Sequence, residues 1–269
     1  VPSTSSCFDR EILAPGIVIY KNNYVITQKD LNLLDQQCED ALSRMYTFMY
    51  DDDGNLEYAV NRSFHKMLPE HIDRTSIRIT ENLDPVLVGQ IEQSISNVLL
   101  DYIDLYPDLL RSIWWRSMGH FCVYKTGANL GLHSDNDVNY RPKTEPIDQG
   151  ATRHTLSCTT VLNDDFQGGD LYFEYYDLTV SPKAGDIVFF PSNYLATHCV
   201  QEVTEGVRYS YVSFYGHGSA DEKHKVIIQD FTGYGSATGK IWMDDMYEEF
   251  AKFSTNPNAK RIIERIEDH

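Results

Sequence analysis

Apolar residues change their spacing along this chain, and the changes divide it into three stretches. Up to about residue 112 the helical steps of three and four dominate. Leu34, Cys38, Ala41, Leu42 and Met45 share one helix face. Thr27, with Asp30 three residues on, supplies the reciprocal cap that would start that helix. Val88, Ile91, Ile95, Val98, Leu99 and Tyr102 form a second stripe, opened by Asp84 as cap and Pro85 in the first turn. Residues 16–20 read as an extended run that turns at Asn22-Asn23. The acidic stretch 50–55 reads as a solvated turn, because the spacing and terminal glutamate of an EF-hand are absent.

From 113 to 216 the pattern shifts to short runs of Val, Ile, Tyr, Phe and Thr, broken by turn residues about every 8–12 positions. Strands are expected at 113–124, 155–162, 170–176, 178–180, 186–190, 197–203 and 207–215. Seven or eight such strands make one jelly roll. The polar segment 136–152, with two prolines, is too long for a hairpin turn and reads as a lid. Beyond 216 come a Gly-rich loop and helical patterns at 243–253 and 260–266. Helices without a core of their own must pack on the outside of the sheet. One domain is therefore expected: a helical support region at 1–112, a jelly-roll core at 113–216, and a loop with helices at 217–269.

Composition narrows the function classes. The 269 residues carry 40 acidic and 23 basic side chains, a formal charge of −17, which repels phosphate backbones and argues against nucleic acid. Hydrophobic residues at 42% and 18 tyrosines suffice for a large core. Five scattered cysteines without CxxC pairs indicate neither a disulfide framework nor a zinc knuckle, and suit reduced thiols in the cytoplasm. No apolar run reaches the 18 or so residues needed to cross a bilayer, so no membrane partner is expected.

Candidate chemistry gathers at His133-Ser134-Asp135 and at His198. A histidine and a carboxylate two apart on an extended segment point to the same side and can reach one ion. Two imidazoles and one carboxylate form the facial triad of non-haem Fe(II) oxygenases, with positions left open for substrate and dioxygen. The turn 182–186 feeds a buried strand ahead of His198. If 202–206 is a hairpin connection in which Val203 pairs with Val207, Arg208 stands opposite Glu202, about 13 Å along the strand from His198. A long guanidinium there could grip one end of a short dicarboxylate whose other end meets the metal. Read for packing alone, Arg208 would instead pair with Glu202 or Glu205. His120 lies on the strand face of Tyr124 and is more simply a core histidine; His154 and His217 are equally ambiguous.

Tyr124-Lys125-Thr126-Gly127 ahead of His133-Ser134-Asp135, the run 162–173, the Ala184-Gly185-Asp186 turn, His198 and Arg208-Tyr209-Ser210 together resemble the Fe(II)- and 2-oxoglutarate-dependent dioxygenases of the prolyl-4-hydroxylase-like group. The resemblance covers roughly 113–216. It implies a mainly β fold with flanking helices, a double-stranded β-helix, in which His133, Asp135 and His198 hold iron. It further implies that Arg208 holds the distal carboxylate of 2-oxoglutarate, with Tyr124 and Ser210 near it, although packing alone would make Tyr124 a core tyrosine and Ser210 an ordinary strand residue. Dioxygen would complete the reaction, and ascorbate is left open as an auxiliary reductant.

Two departures bear on substrate. Collagen-type prolyl hydroxylases commonly carry lysine where Arg208 stands, and a tyrosine where this chain has Leu130. Related halogenases replace the carboxylate ligand with a small residue, whereas Asp135 is present, which favours hydroxylation. The expectation is hydroxylation of an unactivated C–H bond in an amino-acid-like small molecule. Peptidyl-prolyl hydroxylation, desaturation or epoxidation at the same iron, and a non-catalytic cupin-like binding module are the alternatives.

Overall fold

The computed structural model describes residues 8–61, 66–79, 83–113, 115–116, 119–136 and 153–217, with 252, 254, 256 and 257. The lid expected at 136–152, apart from Asn136, and the helices expected near the carboxyl end, apart from isolated positions, lie outside these residues.

The amino-terminal part supplies β1 (Arg10–Ala14), β2 (Ile17–Tyr20), helix α1 (Gln28–Met45), β3 (Tyr46–Tyr50), β4 (Leu56–Asn61), β5 (Lys66–Met67), the single turn α2 (Pro69–Ile72), β6 (Ile77–Ile79) and helix α3 (Pro85–Leu105). Strands then dominate: β7 (Trp115–Arg116), β8 (His120–Lys125), β9 (Leu130–His133), β10 (Arg153–Val161), β11 (Phe166–Gly168) and β12 (Leu171–Phe173). They continue as β13 (Leu178–Val180), β14 (Ile187–Pro191), β15 (His198–Val200) and β16 (Val203–His217). Among the described residues the main sheet runs β1-β2-β14-β10-β16-β8-β6, and a second sheet runs β13-β12-β15-β9.

Strand alternation sorts the main sheet into two faces. Val18, Tyr20, Phe121, Val123, Leu156, Cys158, Phe189 and Tyr211 point one way and pack on Leu87, Ile91, Ile95, Val98 and Leu99 of α3 and Leu34 and Cys38 of α1. Ile17, Ile19, Cys122, Tyr124, Val188 and Phe190 point the other way and share a core with Leu171, Phe173 and Val200 of the second sheet. Two sheets closed over one core, flanked by helices on the outside, make the expected double-stranded β-helix.

Both helices begin where their caps predict. Thr27 Oγ1 accepts the Asp30 amide at 3.2 Å, while Asp30 returns a carboxylate to the Thr27 amide. Asp84 accepts from the amides of Val86 and Leu87.

One expectation is overturned. Val203 does not pair with Val207 across a hairpin: β16 runs on as a single strand through Gly206, which takes φ +79°. Val207 pairs with Lys125 and Arg208 with Tyr124, both on β8, while Val203 pairs with Gly168 on β11. The physical reason is that β8 and β11 both offer open edges to this segment, so a glycine that suits a turn instead lets one long strand bend between two partners. The β3-β4-β5 sheet and β6 are additions that strand patterning did not supply.

Candidate functional site

β9 ends at His133 and pairs antiparallel with β15, with His133 directly opposite His198. Directly opposed residues share a face, so the two imidazoles meet across the strand pair, ring centroids 4.5 Å apart. Asp135, just past β9, completes the group: its Oδ1 lies 3.3 Å from His133 Nε2 and its Oδ2 4.0 Å from His198 Nε2. One donor atom from each residue falls within 4.8 Å of the others.

The surroundings fix what each group presents. His133 Nδ1 donates to the Gly131 carbonyl at 2.8 Å, and His198 Nδ1 donates to the Ala196 carbonyl at 3.0 Å. A carbonyl only accepts, so the protons sit on Nδ1 and both Nε2 lone pairs face Asp135. Ser157 Oγ donates to Asp135 Oδ2 at 2.5 Å. Burial opposes the negative charge on Asp135, but the adjoining His133 and His198 imidazoles, whenever they are protonated, and the hydrogen bond from Ser157 outweigh it and hold the carboxyl below its ordinary range. Burial likewise lowers the pKa of His198, against the pull of Asp135. Phe190 and Phe173 pack on the His198 ring at 4.6 and 5.7 Å. Two neutral imidazoles and one carboxylate in a largely apolar wall are the donor set that suits a divalent first-row metal such as Fe(II).

Arg208 projects from β16 on the inner face, opposite Tyr124. It is 1% exposed, and its carbon Cζ stands 5.2 Å over the Tyr124 ring. Nη1 donates to Ser210 Oγ at 3.0 Å, and Nε and Nη2 have no hydrogen-bond partner among the described residues. The ion pair with Glu202 or Glu205 is absent among the described residues; the Glu205 carboxylate accepts from Gln167. A buried donor left without a partner costs on the order of 1–3 kcal/mol, and more when charged. Such a guanidinium has two donors to offer a carboxylate.

Cys122 ties the two ends together. It lies opposite Ser210, buried, and burial raises its pKa while the charges of Arg78 and Arg208 oppose that rise and Asp135 adds to it. Arg208 and the His–Asp–His group therefore act on one interior space. Tyr124 is buried with its pKa pushed up by burial, and its hydroxyl shares hydrogen bonds with Cys122 and Ser76. Ser210 touches the guanidinium directly.

All six residues singled out in the sequence thus line the inner side of one barrel. Two neighbours join them, His120, which strand patterning favoured as a core histidine, and His154, which it left ambiguous. His154 Nδ1 donates to the Asp135 carbonyl at 3.1 Å and stacks on Phe214 with ring centroids 4.2 Å apart. His120 lies 6.0 Å from the same Phe214 ring. The signal for His120 was its two-residue step from Cys122 and four-residue step from Tyr124, which puts all three on one strand face.

Residues 119–216 match the model of the 2OG-Fe(II) oxygenase superfamily. A PKHD-type hydroxylase of Psychrobacter sp. (strain PRwf-1) is 28% identical over 144 residues, which is 51% of this chain and 53% of the relative. Another PKHD-type hydroxylase, from Xylella fastidiosa (strain M23), is 34% identical over 145 residues, 52% of this chain and 62% of the relative. This chain thus spans between half and two thirds of the length of these relatives. Among solved structures, a Trichoplax adhaerens prolyl hydroxylase in complex with a hypoxia inducible factor oxygen degradation domain peptide shares 15% identity, covers 79% of this chain and 86% of its own, and has a TM-score of 0.48.

Proposed function

We propose that this chain is a hydroxylase using Fe(II), 2-oxoglutarate and dioxygen, acting on an amino-acid-like small molecule. The observation that carries the reading is the buried Arg208, with two guanidinium nitrogens unpartnered among the described residues, facing the same interior as the His133–Asp135–His198 group. A divalent metal alone would explain the first group but would leave the buried guanidinium without a partner. A dicarboxylate bound by both explains why both groups face inward from the two sheets.

In this reading His133, Asp135 and His198 hold the iron, and Arg208 grips the distal carboxylate of 2-oxoglutarate through its free edge. Bound iron would supply the activation of dioxygen, by which 2-oxoglutarate becomes succinate and carbon dioxide and one oxygen atom enters a substrate C–H bond. The chain's own work is orientation and exclusion of water. The Nδ1–H donations to the Gly131 and Ala196 carbonyls keep both imidazole lone pairs aimed inward. Ser157 holds Asp135 ionised and oriented. Ser210 and the Tyr124 ring fix the guanidinium from below and beside. Phe173 and Phe190 keep the His198 side dry.

The test is succinate release from protein supplied with Fe(II), 2-oxoglutarate and air, over a panel of free amino acids and peptides, with a mass gain of one oxygen on the accepted substrate. His133→Ala should reduce succinate to the protein-free background. Undiminished release in that variant would remove the ligand set, and acceptance of peptides alone would move the substrate to the peptidyl class.

A further inference from the structure

The inner face carries a second arginine that the cosubstrate does not employ. Arg78 sits in the middle of β6, directly opposite Cys122 on β8, so it points to the barrel interior while Ile77 and Ile79 pack outward. Its Nη2 donates to His120 Nδ1 at 3.1 Å. His120 reaches Phe214, Phe214 stacks on His154, and His154 holds the Asp135 carbonyl, so an unbroken line of contacts joins Arg78 to the metal group. Arg78 is nonetheless solvent-exposed, because β6 is the edge strand of its sheet. It forms no ion pair among the described residues, and its charge is felt by His120, His154 and Cys122. Burial and that same charge hold the His120 pKa well below its ordinary value, which leaves Nδ1 as an acceptor for the guanidinium.

Charge points to what is missing. Two charges on a bound metal would be met by Asp135 and one carboxylate of 2-oxoglutarate, and Arg208 would be met by the other carboxylate. Arg78 has no carboxylate partner among the described residues and is exposed, with the stacked Phe214–His154 pair between it and Asp135.

We propose that Arg78 is the anchor for a carboxylate on the hydroxylated substrate, so that the enzyme takes a small free acid, such as an amino acid with an unblocked carboxyl group, whose body lies over Phe214. The inference rests on the hydroxylase reading above and refines it. It also reconciles a chain of charge −17 with an acid substrate: a zwitterion offers its ammonium to the general field and its carboxylate to this one local cation.

The test uses N-acetylglycine and its amide, N-acetylglycinamide, as matched probes on full-length protein saturated with Zn(II) and 2-oxoglutarate, with affinity read by ligand-detected NMR. Wild-type protein should bind the acid at least tenfold more tightly than the amide. Arg78→Gln should bring the acid down to the level of the amide, and Arg78→Lys, which keeps the charge without the fork, should retain an intermediate preference. Equal affinities, or no binding of the acid, in wild-type protein that does take up Zn(II) and 2-oxoglutarate would overturn the Arg78 assignment alone. An undiminished preference for the acid in Arg78→Gln would do the same. Failure of wild-type protein to bind 2-oxoglutarate in the presence of Zn(II) would strike the hydroxylase reading itself. Should Arg78→Gln not fold, the lysine variant decides, since an unchanged preference there would show that the guanidinium fork is irrelevant.

Discussion

At the scale of single residues, the site is a set of groups held in the protonation state their tasks require. His120 shows the cost of doing so. It is buried against Arg78 and Phe214, with His154 near enough to act on it, and its pKa lies well below the ordinary 6.5. The unfolded chain takes up a proton near pH 6.5 that the folded chain refuses, so stability is full above that pH and declines as pH falls below it. Thermal unfolding of the metal-free protein between pH 7.5 and 5 should show this decline, and His120→Gln, which keeps an acceptor for Arg78, should flatten it. An unchanged slope in the variant would mean that His120 is protonated in the fold. His133 and Asp135 stood out in the sequence as a pair two apart on an extended segment, whereas His198 and Arg208 entered through the segments around them, and the hairpin that placed Arg208 opposite Glu202 does not form. His120 and His154 did not stand out. An inward histidine on a strand looks the same whatever it touches, and only the structure shows His154 stacked on Phe214 and bonded to the Asp135 carbonyl, and His120 bonded to Arg78.

At the scale of elements, turns aim the chemistry. Gly169, at φ +67°, follows β11, and a Cβ placed there would come within 2.8 Å of Arg208 Cδ and 3.0 Å of Val203. The absence of a side chain is what lets the arginine stem lie flat against the turn. Gly169→Ala should therefore weaken 2-oxoglutarate binding about tenfold, as the guanidinium is pushed off its seat, while metal binding by the His–Asp–His group stays as it was. Loss of both, with no separation between them, would make Gly169 a folding residue and not one that positions Arg208. Helices α1 and α3 were readable because their caps and stripes are local signals. β16 was misread where a glycine signals a turn yet serves a bend, and the partner that decides between the two lies some 80 residues earlier on β8. The β3–β4 pair had a usable signal, an aromatic-rich run and an alternating run around an Asp53-Gly54 turn, but β6 is only three residues long and no pattern of that length stands out.

At the scale of the molecule, closing two sheets over one core brings together residues far apart in sequence, with the metal group toward one part of the interior and Arg208 toward another. The outward faces of the same strands pack on α1 and α3, so the helices brace the sheet from outside without entering the site. Among the described residues no helix is long and apolar enough to cross a membrane. The central claim is that metal and arginine hold one dicarboxylate between them. Calorimetric titration of 2-oxoglutarate into anaerobic protein tests this most directly, with and without Fe(II), in the wild type and in Arg208→Met. The account predicts saturable one-to-one binding that needs the metal and weakens at least a hundredfold in the variant, about 3 kcal/mol for charge-assisted hydrogen bonds lost from a buried guanidinium. Binding of equal strength without Fe(II), or in Arg208→Met, would contradict it.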